Sequence, residues 1–216
     1  MKDGKQLAVL MVAGTLCAGA CTSATAALTF QLNTIVDGAM PAGTVPWLTA
    51  VFKDSTDGVP GLAANAVRLH LSTKNLSFDK ENPQYVNDWY FNFDNTISTH
   101  PETDLTYSVV SNPYNIVTSQ TTGSGKKASE VSSDILDSYN GKNASITFSF
   151  RWDFLEAKEG RFNGGEFLVV DLVLNGGNSS LTTRAFDILS TDNGSSYHTM
   201  AHICGIESTK EGSSKP

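Results

Sequence analysis

Charge is what this chain has least of. Asp, Glu, Lys and Arg make up 17% of its 216 residues, against about 25% in average proteins. A long helix or coiled coil, rich in Glu, Lys and Ala, is excluded by that shortage. Basic residues are the scarcer sign, 15 against 22 acidic, for a net charge of −7. A nucleic-acid binder, whose affinity rests on Lys and Arg against phosphate, is excluded with them. Cysteine is scarce as well, three in all, too few for a small disulfide scaffold. The N-terminal apolar run, Leu7–Ala20, falls short of the ~20 residues that span a membrane as a helix. What the chain does have is 40% hydrophobic residues, too many for wholesale disorder. Uncharged polar runs such as Ser119–Ser124 wet its surface.

The first 26 residues read as a secretory signal peptide. Lys2 and Lys5 precede the apolar run, and Ala24-Thr25-Ala26 supplies a small-residue cleavage site. Cleavage after Ala26 is expected. It removes Lys2, Lys5 and Asp3, taking the 15 basic and 22 acidic side chains to 13 and 21, a net charge of −8. It also removes Cys17 and Cys21 and leaves Cys204 alone. Cys21 follows Ala18-Gly19-Ala20, a partial lipobox, so lipidation there is the competing expectation. The mature chain then carries no membrane span and no internal disulfide. A domain of this size buries roughly 70% of its unfolded surface without covalent staples.

Beyond the leader the dominant signal is period-2 alternation, the mark of half-buried strands. Strands are expected over Leu28–Val36, Trp47–Lys53, Ala66–Ser72, Tyr85–Asp94, Ser145–Asp153, Phe167–Leu174, Thr182–Leu189 and His198–Ile206. In Ser145–Asp153 the residues Ile146, Phe148, Phe150 and Trp152 share a face. Tyr85, Trp89, Phe91 and Phe93 share another, with Asp88, Asn92 and Asp94 opposite. Phe167–Leu174 is apolar on both sides apart from Asp171 and reads as a strand covered on both faces. Asn-Gly and Asp-Gly turns separate the runs. Helical spacing appears only over Ala128–Tyr139, as a short surface helix. These patterns predict an all-β, antiparallel β-sandwich, jelly-roll-like, as a single domain over 27–207, with a polar tail over 208–216. Gly123-Ser-Gly-Lys-Lys127 superficially resembles a phosphate-binding loop, but it lacks the leading Gly and the Ser or Thr after the lysine.

Three constellations carry candidate chemistry. His198, His202 and Cys204 are separated by even numbers, so an uninterrupted strand puts all three on one face, and His and Cys suit zinc or copper. Asp153, Glu156, Glu159 and Glu166 surround the 160–165 turn, and Asp79, Glu81, Asp88 and Asp94 lie in or near another loop and strand; either segment offers oxygen ligands for calcium. Tyr90 faces away from Trp89 and is the candidate platform for a sugar ring, with Asp88 and Asp94 beside it. Trp89 and Trp152 belong on the core faces of their strands. No hydrolase signature such as G-x-S-x-G or H-E-x-x-H is present, so no catalytic residue is assigned.

Several blocks resemble a known group. Ala27–Thr34, Pro46–Phe52, Val86–Asp94, Arg161–Glu166, Phe186–Leu189 and Ala201–Ile206 are similar, in that order, to exported bacterial proteins of the PEP-CTERM sorting class. The C-terminal Pro-Glu-Pro motif, apolar helix and basic cluster of that class are missing here. The resemblance implies a secreted β-rich surface or matrix protein of exopolysaccharide-producing Gram-negative bacteria with no established activity, and with the leader and the strand pattern it leads to the expectation of a non-enzymatic protein of the extracellular matrix or cell surface. Three other functions stand beside it. One is a carbohydrate-binding module for extracellular polysaccharide, with calcium as a candidate cofactor. Another is a self-associating filament subunit that donates Leu28–Val36 as a strand. The third is a glycan hydrolase, which needs two carboxylates across a cleft.

Overall fold

The computed structural model describes residues 6–11, 27–79, 83–99, 101–121, 137–140, 145–175, 181–190 and 196–206; in 6–11, 37, 102–103, 119–121, 137–140 and 145–147 only the backbone is described. The strands are β1 (Gln6–Met11), β2 (Leu28–Leu32), β3 (Thr34–Gly38), β4 (Leu48–Asp54), β5 (Ala66–Ser72), β6 (Tyr85–Phe91) and β7 (Leu105–Ser111). They continue with β8 (Thr118–Thr121), β9 (Asp137–Asn140), β10 (Ser145–Phe148), β11 (Phe150–Phe154), β12 (Phe162–Asn163), β13 (Phe167–Leu174) and β14 (Thr199–Ile206). Sheet A runs β3-β1-β14-β6-β11-β8, with β12 also paired to β6. Sheet B runs β2-β4-β5-β13-β7, and β9 and β10 form a separate ribbon. Every strand pairing in both sheets is antiparallel. The protein is therefore the all-β sandwich that alternation predicts.

Sheet B follows its sequence closely. Along β13, Leu168, Val170, Leu172 and Leu174 point inward and are buried, while Phe167, Val169, Asp171 and Val173 are half-buried on the outside. The strand is thus interior within its sheet but covered on one face only, not on both as its composition suggests. Outside, Asp171 lies directly opposite Arg68 and accepts two hydrogen bonds from its guanidinium, at 2.7 and 2.9 Å. Aromatic rings join the two sheets. Phe52 of β4 packs edge-on to Phe91 of β6 at 5.5 Å and stacks on Phe186 at 4.5 Å. Burying each such ring contributes roughly 1.5–3 kcal/mol.

Four expected elements come out differently. Leu28–Val36 is broken at Asn33, so that β2 lies in sheet B and β3 in sheet A. Ser145–Asp153 is broken at Ser149, whose N–H donates to the Phe91 carbonyl and whose hydroxyl accepts from the Phe93 N–H. The break turns Phe148 toward Tyr90, while Phe150 stacks on Phe91. Thr182–Leu189 is a short 3-10 turn over Thr183–Phe186 instead of a strand. The buried Asp54 carboxylate captures both the N–H and the hydroxyl of Thr183, which draws the backbone out of extension while Phe186 fills the core. The helix expected over Ala128–Tyr139 lies outside the described residues as far as Leu136, and from Asp137 the chain is β9.

Candidate functional site

The outer face of sheet A carries a row of ionisable side chains. Strands β11, β6 and β14 are neighbours, and their registers set Asp153, Asp88 and His202 side by side: Asp153 opposite Asp88, and Asp88 opposite His202. Alternation in each strand already puts these residues on the polar face; the pairing of distant strands brings them together. Arg151, two residues before Asp153, reaches diagonally with its Nε 2.6 Å from Asp153 Oδ1 and 3.8 Å from Asp88 Oδ1.

Asp88 Oδ2 accepts from His202 Nδ1 at 2.9 Å and from the Asn87 side-chain amide at 2.9 Å. Burial opposes ionising Asp88, yet hydrogen bonds from His202, Asp153 and Asn87 win and hold its carboxyl at about 2. Burial and the neighbouring Asp88 push Asp153 up to about 8, although Arg151 pulls the other way. Two carboxyl groups in contact keep one proton between them because like charges cannot both be buried cheaply. For His202 burial also disfavours charge, but Asp88 and Cys204 raise it to about 9. At neutral pH the row is therefore an imidazolium, a carboxylate, a carboxylic acid and a guanidinium.

Two bulges shape the far end. Asn87 is an extra residue in β6 opposite the step from His202 to Ile203, and Cys204-Gly205 face a single residue of β1. The first bulge shifts Tyr85 onto the outer face opposite Cys204, not onto the core face shared by Trp89 and Phe91. Gly205 has φ +77°, and a β-carbon there would sit 2.4 Å from the Pro83 carbonyl oxygen, so the second bulge requires glycine. As a result Cys204 Sγ lies 3.3 Å from His202 Nε2. Tyr85 lies opposite Cys204 in the pairing of β6 with β14, with the Arg161 guanidinium 4.2 Å over its ring. Burial, foremost, raises the Tyr85 phenol to about 12.

The remaining expected site residues hold other positions, although Tyr90 packs against Arg151 of the row and Glu156 borders one hollow with Asp153. His198 precedes β14, stacks on the core ring of Phe30 at 5.0 Å and faces Asp187 at 3.4 Å, so it does not join His202 and Cys204. The even-spacing argument assumed a strand that starts one residue too early. Tyr90 is buried, 5% exposed, against Phe148 and the Arg151 guanidinium, and is no surface platform. Asp94 lies beyond the end of β6 and accepts from the Thr96 N–H and hydroxyl, closing a turn. Glu166 accepts from the Asn163 N–H at 2.7 Å and from its side-chain amide, closing the 163–166 corner. Glu156 accepts with its carbonyl from Arg161 Nε and, with Val117, Leu155 and Asp153, borders a shallow hollow of about 300 Å³. Among the described residues no group of three or more His, Cys, Asp or Glu side chains is arranged to hold a metal ion. None of the described helices is long and apolar enough to cross a membrane.

Residue-level sequence reading missed Arg151, Tyr85 and Arg161. Arg151 was readable as a polar-face residue of its strand, but its partners were not. Comparison of the chain with protein-family models, with curated proteins and with solved structures finds no match.

Proposed function

We propose that this chain is an exported, non-enzymatic β-sandwich protein of the bacterial extracellular matrix or cell surface, akin to the PEP-CTERM class that its short blocks resemble. The observation that carries this reading is the junction at the leader. Sheet B begins at Leu28, two residues past the Ala24-Thr25-Ala26 site, so cleavage there leaves all five strands of that sheet intact. A hydrolytic role gains little support from the carboxyl pair. Asp88 and Asp153 are hydrogen-bonded to each other, whereas glycosidases hold theirs ~5 Å or more apart with the sugar between. The carbohydrate-binding reading loses Tyr90, which is buried.

One observation favours assembly as a second reading. Gln6–Met11, inside the leader, is itself a strand of sheet A, antiparallel to both β14 and β3. Its departure leaves two strand edges facing across a slot about 10 Å wide, twice the spacing of paired strands. An extended apolar segment from a second copy fits that slot by strand addition. The donor expected from sequence, Leu28–Val36, is already spent as β2 and β3 of its own chain.

Expression in an exporting Gram-negative host tests both readings. Mass spectrometry of the extracellular fraction should find a chain starting at Ala27, and a chain retained in the cytoplasm with Met1 in place overturns export. Electron microscopy of the processed protein should show oligomers or filaments; a strictly monomeric processed chain overturns assembly and leaves export standing.

A further inference from the structure

We propose that β7 is a self-association edge, at which two copies of this chain pair β7 with β7, antiparallel, across a two-fold axis. Among the described residues β7 bonds to β13 on one side only and ends sheet B. Its other side offers a row of backbone donors and acceptors to a further strand. The contact goes beyond the export and assembly readings, since it lies on sheet B and needs no departure of β1.

Natural sheet edges are blunted with lysine or proline, and Leu105–Ser111 has neither. No charged residue stands between Asp104 and Lys126, the longest such run beyond the leader. Exposed apolar side chains gather here instead. Val109 and Val110 are 52% and 45% exposed, and Tyr114, Val117 and Leu155 follow at 40–52%. These are five of the nine large apolar side chains exposed among the described residues. The strand at the other end of sheet B, β2, includes none of them.

Local bonds hold the patch in shape. Asn112 grips Ile116 twice: its Oδ1 accepts from the Ile116 N–H and its Nδ2 donates to the Ile116 carbonyl, both at 2.8 Å. Tyr114 rests edge-on against Phe167 at 5.5 Å. The Tyr107 hydroxyl donates to the Thr118 carbonyl at 3.3 Å and ties β7 to the start of β8. Val117 and Leu155 lie together over Gly160, where a β-carbon would come within 2.8 and 3.2 Å of them. A patch already ordered in this way loses little freedom on association.

Charge selects a second copy as the occupant. A charged partner strand finds no side chain of opposite sign on this edge. Copies of this chain, at −7 each, repel one another, and the uncharged edge is where they meet with least opposition. Register agrees. Val110 is an extra residue opposite the step from Val169 to Val170, so the straight part of the strand is Leu105–Val109. A two-fold axis through Tyr107 sets Thr106 opposite the partner's Ser108 and Leu105 opposite the partner's Val109. Hydroxyl then faces hydroxyl and apolar faces apolar, with no like charges opposed.

The test is sedimentation velocity on the full chain with its leader in place, so that β1 fills its own position in sheet A. The parent should sediment as a dimer at micromolar concentration. Val109→Lys should weaken the dimer by roughly tenfold or more, because an edge lysine opposes strand addition. Thr106→Lys, at an exposed position, should do the same and decides the matter should Val109→Lys fail to fold. Gln31→Lys, at an exposed position of β2, should leave the dimer intact. A strictly monomeric parent overturns the proposal, as does a dimer that survives the β7 lysines or that Gln31→Lys dissociates. A monomeric full chain beside oligomers of the processed chain overturns this contact and leaves the slot reading standing.

Discussion

Sheet B and sheet A solve the same problem, one face in and one face out, with different outer surfaces. On sheet B the outward charges are an Arg68–Asp171 pair, with side chains 16–19% exposed, and the exposed Lys53 opposite Arg68. The pair is half-buried, one cation bonded two-pronged to one anion, and an isolated pair outside a larger network contributes modestly. On sheet A the outward charges are exposed to a similar degree, 11–24%, but they stand in a row beside Tyr90, Tyr85 and Phe148 and depend on one another for their protonation states. The contrast teaches that an outer sheet face is not electrically passive by default. Where neighbouring strands set several ionisable side chains side by side, polar alternation produces a titrating cluster instead of separate charges.

The sharpest way to break the comparison is through what the sheets share. Phe52→Ala removes the ring that joins them and should cost about 3–5 kcal/mol, equally at about pH 5 and pH 8, measured by urea unfolding. A loss that depends strongly on pH would mean that the core and the outer cluster are coupled. Next in size is the pH response of sheet A. Asp153 binds its proton up to about 8 when folded but only to ~3.9 when unfolded. Its contribution is therefore full below about 4 and lost as pH rises through 8. His202, raised to about 9, acts in the same sense: its contribution is present below about 6.5 and lost as pH rises through 9. Asp88 acts oppositely, stabilising above about 4 and failing only as pH falls toward 2. Tm should accordingly decline from about pH 5 to pH 9. Asp153→Asn should flatten the part below pH 8 and raise Tm at pH 8 by roughly 3 °C. A parent melt that is level across this range would remove the titrating cluster. Smallest is Arg68→Ala, expected to cost at most about 1 kcal/mol with no pH dependence over that range. A larger loss would place sheet B's outer face in the same class as sheet A's.

Legibility in the sequence divides along the same line. The bounds of Ala66–Ser72 and Phe167–Leu174 in sheet B are read to the residue, the first from its alternation and the second from its apolar run, whose outer face is half-buried instead of covered. In sheet A the alternation is interrupted where chemistry gathers. The extra Asn87 moves Tyr85 to the outer face, and the Cys204-Gly205 bulge fixes the sulfur beside the imidazole. Period-2 reading assumes an unbroken pleat, and a bulge changes faces without leaving a mark in hydrophobicity. His202 and Cys204 were legible as same-face neighbours because only one residue separates them. Asp88 and Asp153 were legible singly, but that β6 lies beside β11 is a fact of long-range pairing that local pattern does not contain. Tyr90 was read to the correct face and still misjudged, since burial there comes from Phe148 across a break at Ser149.

On the exported reading, the strand made by Gln6–Met11 puts two demands on one stretch of chain. As a leader it must be greasy and expendable; as a strand it must keep register with β14 and β3. Substitutions that tune one use disturb the other, so these six residues have less freedom to drift than either an export tag or a sheet strand alone. On the exported reading the precursor and the released protein are also different folding problems. One arrives with sheet A complete, and the other must close a seam or borrow a strand.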